Sequence, residues 1–233
     1  MSKRALTFAS IVALAGAGVV ASASVTWTNV ATLSFLVCAA LALLAATFKV
    51  RVPGMVSAIS PVAVPILFAG GTIGWQAAAL IAAVTGILQS VWRPKVKPMP
   101  IQIVFNGATI AIAATLGTQV ANLVTARGSF VWFIAAAVVF QVSNAILVSG
   151  VLSLLGDSVS LVSLWRNCHL WSFPYQLTAG LFAGLWAQAG PLTASNVAPF
   201  SAVALAGAVL YLMNVFYGEI VQRSGGQAEL STQ

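Results

Sequence analysis

The sequence predicts an all-α integral membrane protein with about eight transmembrane helices. Hydrophobic residues make up 60% of the 233-residue chain, charged residues make up only 6%, and the mean hydropathy is +1.01. Soluble domains carry roughly 25% charged residues, so this composition does not suit an ordinary wetted surface. Apolar runs of the length that spans the hydrocarbon core, about 20 residues, recur along the chain.

Each predicted crossing is an apolar run between turns that contain polar residues, proline or glycine. In order, the runs cover residues 5–25, 29–48, 55–70, 73–92, 101–124, 130–155, 170–189 and 199–221. The third run contains Pro61 and Pro65, which predicts a kinked or partly re-entrant segment covered by protein. The first run fits either a retained helix or a signal peptide cleaved near Ala21-Ser22-Ala23. We favour the helix because the run exceeds the usual apolar core of a signal peptide.

The basic residues predict the orientation of these helices. The turn from Trp92 to Pro100 holds three of the ten Lys and Arg residues and three prolines, so it is a basic connection that breaks the helix. Placing this turn in the cytoplasm puts both termini inside and leaves only Arg127 outside, in agreement with the positive-inside rule. The cations predicted to lie inside are Lys3, Arg4, Lys49, Arg51, Arg93, Lys95, Lys97, Arg166 and Arg223.

One segment differs from the crossings. In residues 158–168, the side chains of Leu161, Leu164, Trp165 and Cys168 share one helical face, which predicts an amphipathic helix on the cytoplasmic interface. We therefore assign residues 1–223 to a single transmembrane domain and residues 224–233 to a short disordered cytoplasmic tail. An outer belt of aromatic residues is predicted at the level of Trp27, Trp75, Trp132 and Trp186.

The residues available for catalysis or metal binding are few. The chain has three acids, one histidine and two cysteines, and it contains no nucleophile elbow, phosphate-binding loop or zinc motif. His169 next to Cys168 has no second pair of ligands, so we interpret it as a solvated or hydrogen-bonded histidine. The basic residues are scattered and do not predict nucleic-acid binding. We expect no enzyme activity, no metal and no cofactor, and we expect the lipid bilayer as the main partner.

Polar side chains from six crossings are predicted to reach a similar depth near the cytoplasmic side. The set comprises Ser57, Ser60, Gln89, Asn106, Asn144, Tyr175, Gln176 and Asn214. The first interpretation is hydrogen bonding between helices, worth about 0.6 to 2 kcal/mol per pair. The second is a ligand pocket or a coupling layer that faces the cytoplasm. We favour the first, and replacement of Asn106 or Asn144 by leucine distinguishes them.

Several short motifs, in order, carry a resemblance to a known family. They are Lys49-Val-Arg-Val-Pro-Gly, Gln89-Ser-Val-Trp-Arg, Val104-Phe-Asn106 and Trp165-x-x-Cys-x-x-Trp-Ser-Phe-Pro-Tyr175. This ordered set resembles the multi-helix membrane sensor region that precedes GGDEF (diguanylate cyclase) or HD-GYP (cyclic-di-GMP phosphodiesterase) domains in bacterial signalling proteins. The similarity extends over roughly residues 5–222. It implies a sensory or anchoring region in the bacterial inner membrane.

In that family the last helix continues into a cytoplasmic output domain, whereas this sequence stops at Gln233. We therefore expect a stand-alone, sensor-like protein that couples through its cytoplasmic turns to a signalling partner or by self-association. One alternative is a small-solute transporter or a substrate-binding membrane subunit, which the proline-containing third crossing and the polar layer favour. The scarcity of acids in the helix centres argues against proton- or sodium-driven transport. The other alternative is a structural subunit of a larger membrane complex.

Overall fold

The computed structural model describes residues 2–28, 32–48, 50–51, 58–94, 97–155 and 172–188. These residues form seven helices and one short antiparallel pair of strands, in which Val50 lies opposite Ile59 and Arg51 opposite Ala58. The helices are α1 (Lys3–Val25), α2 (Thr32–Thr47), α3 (Ala63–Thr72), α4 (Trp75–Val91), α5 (Pro100–Val124), α6 (Phe130–Leu155) and α7 (Phe173–Gln188). The strands are β1 (Val50–Arg51) and β2 (Ala58–Ile59).

The helices place the chain among helical membrane proteins. Three of them, α1, α5 and α6, are long and apolar enough to cross a bilayer, while α2, α3 and α4 are shorter apolar helices of 10 to 17 residues. The predicted all-helical membrane class is therefore confirmed, and the number of crossings stays a prediction. The predicted eighth crossing, the interfacial helix and the polar tail lie outside the described residues.

Two hydrogen bonds between helix ends show that α1 runs opposite to both α6 and α4. The Ser2 hydroxyl donates to the Leu154 carbonyl at 2.7 Å, which joins the start of α1 to the end of α6. The Gln76 amide donates to the Thr26 carbonyl at 3.5 Å, which joins the end of α1 to the start of α4. We call the end of the bundle where α4 ends and α5 begins the basic end. The cationic side chains described there are Lys3, Arg4, Arg93 and Lys97.

Helix α3 is short and enclosed by protein. Its ten residues are about 15 Å long, half of the roughly 30 Å hydrocarbon core, and Ala63 to Gly71 are all buried. It packs against α2, α4 and α7. The third predicted crossing, residues 55–70, thus becomes helical later than predicted. Because Pro61 disfavours helical backbone at the residue before it, the helix begins beyond this proline.

Pro65 lies in the first turn of α3, where backbone N–H groups have no partner inside the helix and a missing N–H costs nothing. The kinked or partly re-entrant path stays a prediction, and the predicted covering of this segment by protein agrees with the burial of Ala63 to Gly71. Two tryptophans also differ from the prediction. Trp132 and Trp186 are fully buried, so they pack inside the bundle and do not form a lipid-facing belt.

Arg127 closes the far end of α3. Its Nε donates to the Gly71 carbonyl at 3.2 Å, and its Nη2 donates to the Thr72 and Ile73 carbonyls, each at 3.3 Å. The last carbonyls of a helix lack hydrogen-bond donors inside the helix and carry partial negative charge. A guanidinium supplies both the donors and a positive charge. The sequence identified Arg127 only as an outer cation, and the structure gives it a structural role.

We expect Arg127→Gln to lower the free energy of unfolding by about 1 kcal/mol, because three carbonyls lose a charged donor. Arg127→Lys should recover only part of this, since an ammonium cannot match the fork of a guanidinium. Equilibrium unfolding in mixed micelles measures the effect. Lys97→Gln is the control, because Lys97 is an exposed cation that holds no carbonyl in the described part of the chain. Equal stability of the two glutamine variants would show that the cap contributes nothing.

Candidate functional site

The candidate site begins at a close crossing of α4 and α5 near the basic end. A Cβ atom added to Gly86 would lie 2.7 Å from the Asn106 carbonyl oxygen and 2.9 Å from the Gly107 Cα. A Cβ atom added to Gly107 would lie 3.1 Å from the Ala83 carbonyl oxygen. Small residues of this kind let two membrane helices approach backbone to backbone. The crossing sets the position of Asn106 relative to α4.

A chain of hydrogen bonds joins α5 to α4 at this crossing. The Asn106 amide donates from Nδ2 to the Ser90 hydroxyl at 2.8 Å, and the Ser90 hydroxyl donates to the Gly86 carbonyl at 2.9 Å. The Asn106 side chain is exposed, and its Oδ1 accepts no hydrogen bond from the described residues. One acceptor of this amide is therefore free for a ligand.

A cleft of about 410 Å³ lies beside this pair, between α1, α5 and α6 at the basic end. Its volume is within the range of roughly 300 to 1,000 Å³ that is typical of small-molecule sites. Most of its surface is apolar, and the polar groups come from Ser90, Gln102 and Asn106. The lining residues are Ala9, Ser90, Pro94, Pro98, Ile101, Gln102, Phe105, Asn106, Val148, Val151, Leu152 and Leu155.

The connection from α4 to α5 closes one side of the cleft through Pro94 and Pro98. Arg93, just before the first of these prolines, has a φ of 43°, in the left-handed region that residues other than glycine rarely adopt. Its guanidinium carbon lies 5.9 Å from the centre of the Trp92 ring. Backbone of this kind persists where the surroundings determine it, and such positions are often functional.

The structure separates the predicted polar layer into distinct pairs. The Gln89 amide donates to the Ser60 hydroxyl at 2.6 Å, which joins α4 to the segment just before α3, and neither residue lines the cleft. Asn106 pairs with Ser90 as described above. Asn144 is half-buried on α6, and Tyr175 is buried on α7, the helix that packs against α6. The layer therefore consists in part of hydrogen bonds between helices.

Some predicted site residues lie outside the described residues or are described only in part. Outside them are Ser57, Asn214, Lys49, Lys95 and Arg166. Arg51 is described only through its backbone, which pairs in β1. Arg93 and Lys97 have exposed side chains at the basic end, and they precede the lining residues Pro94 and Pro98 in sequence without lining the cleft themselves.

Sequence reasoning missed four polar residues that the structure brings into use. Ser90 and Gln102 line the cleft, and the Gln141 amide donates to the Ser172 hydroxyl at 2.7 Å, which joins α6 to the start of α7. Gln102 also accepts a hydrogen bond from the Met99 backbone N–H at 2.9 Å and caps α5. The position of Gln102 three residues after Met99 is typical of a capping residue and could have identified it.

Four buried polar atoms have no hydrogen-bond partner within the part of the chain that the structure describes. They are Ser149 Oγ, Tyr175 Oη, Gln176 Nε2 and Trp186 Nε1. Buried polar groups normally form a hydrogen bond, and these four atoms lack one among the described residues. Three of the four belong to α7, which packs against the enclosed helix α3.

The described residues contain no group of three His, Cys, Asp or Glu side chains that could hold a metal ion. No protein-family model, curated protein or solved structure matches this chain. The fold and the site therefore define the class of the protein, a helical membrane protein with an apolar cleft and a small polar cluster at its basic end.

Proposed function

We propose that this is a sensor-like membrane protein that binds a small amphipathic ligand in the cleft at the basic end. It passes the occupancy of the cleft to a signalling partner, or to a second copy of itself, through the α4–α5 connection. In this proposal the basic end faces the cytoplasm of a bacterial inner membrane, since cytoplasmic turns are enriched in Lys and Arg. The resemblance to sensor regions of bacterial signalling proteins supports the same function.

One observation carries the proposal. Pro94 and Pro98 line the cleft, and they belong to the same connection that presents Arg93 and Lys97 at the surface of the basic end. A ligand in the cleft would contact this connection directly. A ligand shifts a conformational equilibrium only when it binds the two states with different affinities, and direct contact with the moving element supplies that difference.

The polar groups in the cleft can orient a ligand. Among the described residues, Asn106 Oδ1 accepts no hydrogen bond and Gln102 keeps its amide N–H donors, because its oxygen accepts from the Met99 backbone. The remaining lining is apolar. Such a site favours a molecule with an apolar body and one hydrogen-bonding end.

Hydrogen exchange of the α4–α5 connection tests this proposal. The full chain in nanodiscs is compared with and without an organic extract of bacterial membranes. We expect the extract to slow exchange in residues 97–104, because a bound ligand holds the connection against α5. We expect Asn106→Leu to weaken this response about tenfold, since one ligand hydrogen bond is worth about 1 kcal/mol or slightly more.

Asn144→Leu is the matched control for that variant. It makes the same change of chemistry at a half-buried residue of α6 that does not line the cleft. We expect its exchange response to equal that of the wild type. If the extract leaves exchange unchanged in the wild type, or if both variants respond as the wild type does, the cleft is not a ligand site.

A second candidate function, transport or substrate binding for a transporter, is favoured by α3. Interrupted helices enclosed by protein often form substrate sites in transporters. Helix α3 is enclosed and packs against α7, which carries three buried polar atoms without a partner among the described residues. Uptake of labelled extract solutes into proteoliposomes would favour this function. Dependence of that uptake on Tyr175, tested with Tyr175→Phe, would assign it to the α7 groups.

A further inference from the structure

We infer that the occupant of the cleft is an anionic phospholipid, with one acyl chain in the cleft and its phosphate held at the mouth by the α4–α5 connection. The inference deepens the proposed function and rests on it, because it names the ligand class of the same site. It follows from three features of the cleft, namely its apolar walls, its cationic mouth and its uncommitted amide groups.

The walls suit an acyl chain. Phe105 of α5 is 5% exposed and Val151 of α6 is 9% exposed. Together with Ala9 of α1 they belong to one apolar cluster, and all three line the cleft. Val148, Leu152 and other aliphatic side chains complete the sides. A flexible hydrocarbon chain needs no directional partners, and it fills such a cleft through dispersion contacts with all three helices.

The mouth carries positive charge that no described acid neutralises. Arg93 and Lys97 are exposed and immediately precede the lining residues Pro94 and Pro98 in sequence, although neither is itself a lining residue. The described residues include no aspartate or glutamate. Basic pockets between membrane helices on the cytoplasmic side favour anionic headgroups, and guanidinium matches phosphate in geometry as well as in charge.

Two amide groups belong to the lining of the cleft. Asn106 and Gln102 are one helical turn apart at the start of α5, and among the described residues the Asn106 Oδ1 accepts no hydrogen bond and the Gln102 Nε2 donates none. The Gln102 N–H groups can donate to the ester oxygens of a phospholipid, which are acceptors, and no lipid partner is assigned to the Asn106 Oδ1, which is itself an acceptor. A soluble anion would leave the apolar walls unused, and a neutral lipid would leave the cations unpaired.

Native mass spectrometry of the full chain tests the inference. The protein is released from nanodiscs made of equal parts of phosphatidylglycerol and phosphatidylcholine, and the lipid retained one to one is identified. We expect phosphatidylglycerol to be retained in preference to phosphatidylcholine. The double variant Arg93→Gln, Lys97→Gln should lower this retention about 30-fold, since each cation contributes roughly a factor of five near an anionic headgroup.

Matched variants separate the cleft from general attraction to lipid. Val148→Phe fills the cleft, whereas Ile146→Phe makes a similar change at a side chain of the same helix that is 61% exposed and does not line the cleft. Lys3→Gln with Arg4→Gln removes two cations from the same end that neither line the cleft nor adjoin a lining residue in sequence. We expect Val148→Phe to lose retention about tenfold and both control proteins to retain phosphatidylglycerol as the wild type does.

The outcomes distinguish this inference from the proposed function. Equal retention of the two lipids, or equal behaviour of Val148→Phe and Ile146→Phe, overturns the phospholipid assignment. If hydrogen exchange still responds to the membrane extract in that case, the proposed function stands with another ligand. If the response to the extract is absent as well, both fail. Circular dichroism and gel filtration establish that each variant is folded. If Val148→Phe does not fold, the double cation variant still tests the inference, because it is altered only at exposed residues.

Discussion

Replacing Gly86 by valine is expected to prevent most of the protein from accumulating in folded form. The new Cβ would lie 2.7 Å from the Asn106 carbonyl oxygen and 2.9 Å from the Gly107 Cα, and both are backbone atoms that cannot rotate away. The helices α4 and α5 would have to separate along the crossing that they share. Overpacking of this kind costs about 1 to 3 kcal/mol or more, a large share of a total stability of roughly 5 to 15 kcal/mol.

Separation of the two helices also breaks the hydrogen bond from Asn106 to Ser90 and opens the cleft. The Gly86→Val variant that does fold should therefore respond less to the membrane extract. Fluorescence-detected gel filtration measures the folded yield, and unfolding in mixed micelles measures the loss of free energy.

Gly18→Val is the control for the glycine substitution. A Cβ at Gly18 would meet no atom within 4 Å, and the residue is exposed in the interior of α1. The change in intrinsic helix propensity is the same in both variants, so only the contact differs. We expect a folded yield close to that of the wild type. Equal losses for both substitutions would mean that the α4–α5 crossing is not tightly packed.

The long helices could be predicted almost to the residue. The runs 101–124 and 130–155 correspond to α5, Pro100–Val124, and α6, Phe130–Leu155. A proline opens the first, and residues Arg127 to Ser129 separate the two. Hydropathy along the chain and such helix-breaking turns are properties of the sequence alone, so these bounds do not depend on tertiary contacts.

Helix α3 could not be predicted in the same way. Its residues are as apolar as those of a lipid-facing crossing, although neighbouring helices bury Ala63 to Gly71. In a membrane, lipid and protein interior are equally apolar, so composition does not distinguish a residue that faces lipid from one that faces protein. The proline pair indicated irregular backbone, but the burial of the whole segment depends on its neighbours.

The sequence predicted how deep the site residues lie along their helices, but not which neighbouring helix each side chain faces. The rise of a helix placed Gln89 and Asn106 at similar levels near the basic turn. Which neighbour each side chain meets depends on rotation about the helix axis. Gln89 and Ser90 are adjacent in sequence and point about 100° apart, so one reaches Ser60, just before α3, and the other reaches Asn106 of α5. The cleft follows from this rotation and from the Gly86 crossing.

Trp186→Ala is expected to have the second large effect, because it removes the aromatic stack between α3 and α7. The Trp186 ring is 1% exposed and stacks on Phe68, with ring centres 3.7 Å apart and an interplanar angle of 10°. Truncation of a buried tryptophan to alanine costs about 3 to 5 kcal/mol. The loss in a membrane comes mainly from packing contacts and the cavity, since lipid tails would solvate the exposed apolar surface.

Trp186→Phe separates the stack from the indole N–H. Phenylalanine keeps an aromatic ring against Phe68 and deletes the Nε1–H, a buried donor with no partner among the described residues. Removal of an unsatisfied donor offsets part of the lost volume, so we expect a change in the free energy of unfolding of about 1 kcal/mol or less. Unfolding in mixed micelles compares the two variants. If alanine were tolerated as well as phenylalanine, the stack would not hold α3 in place, and the enclosed position of α3 would have to depend on its contacts with α2 and α4.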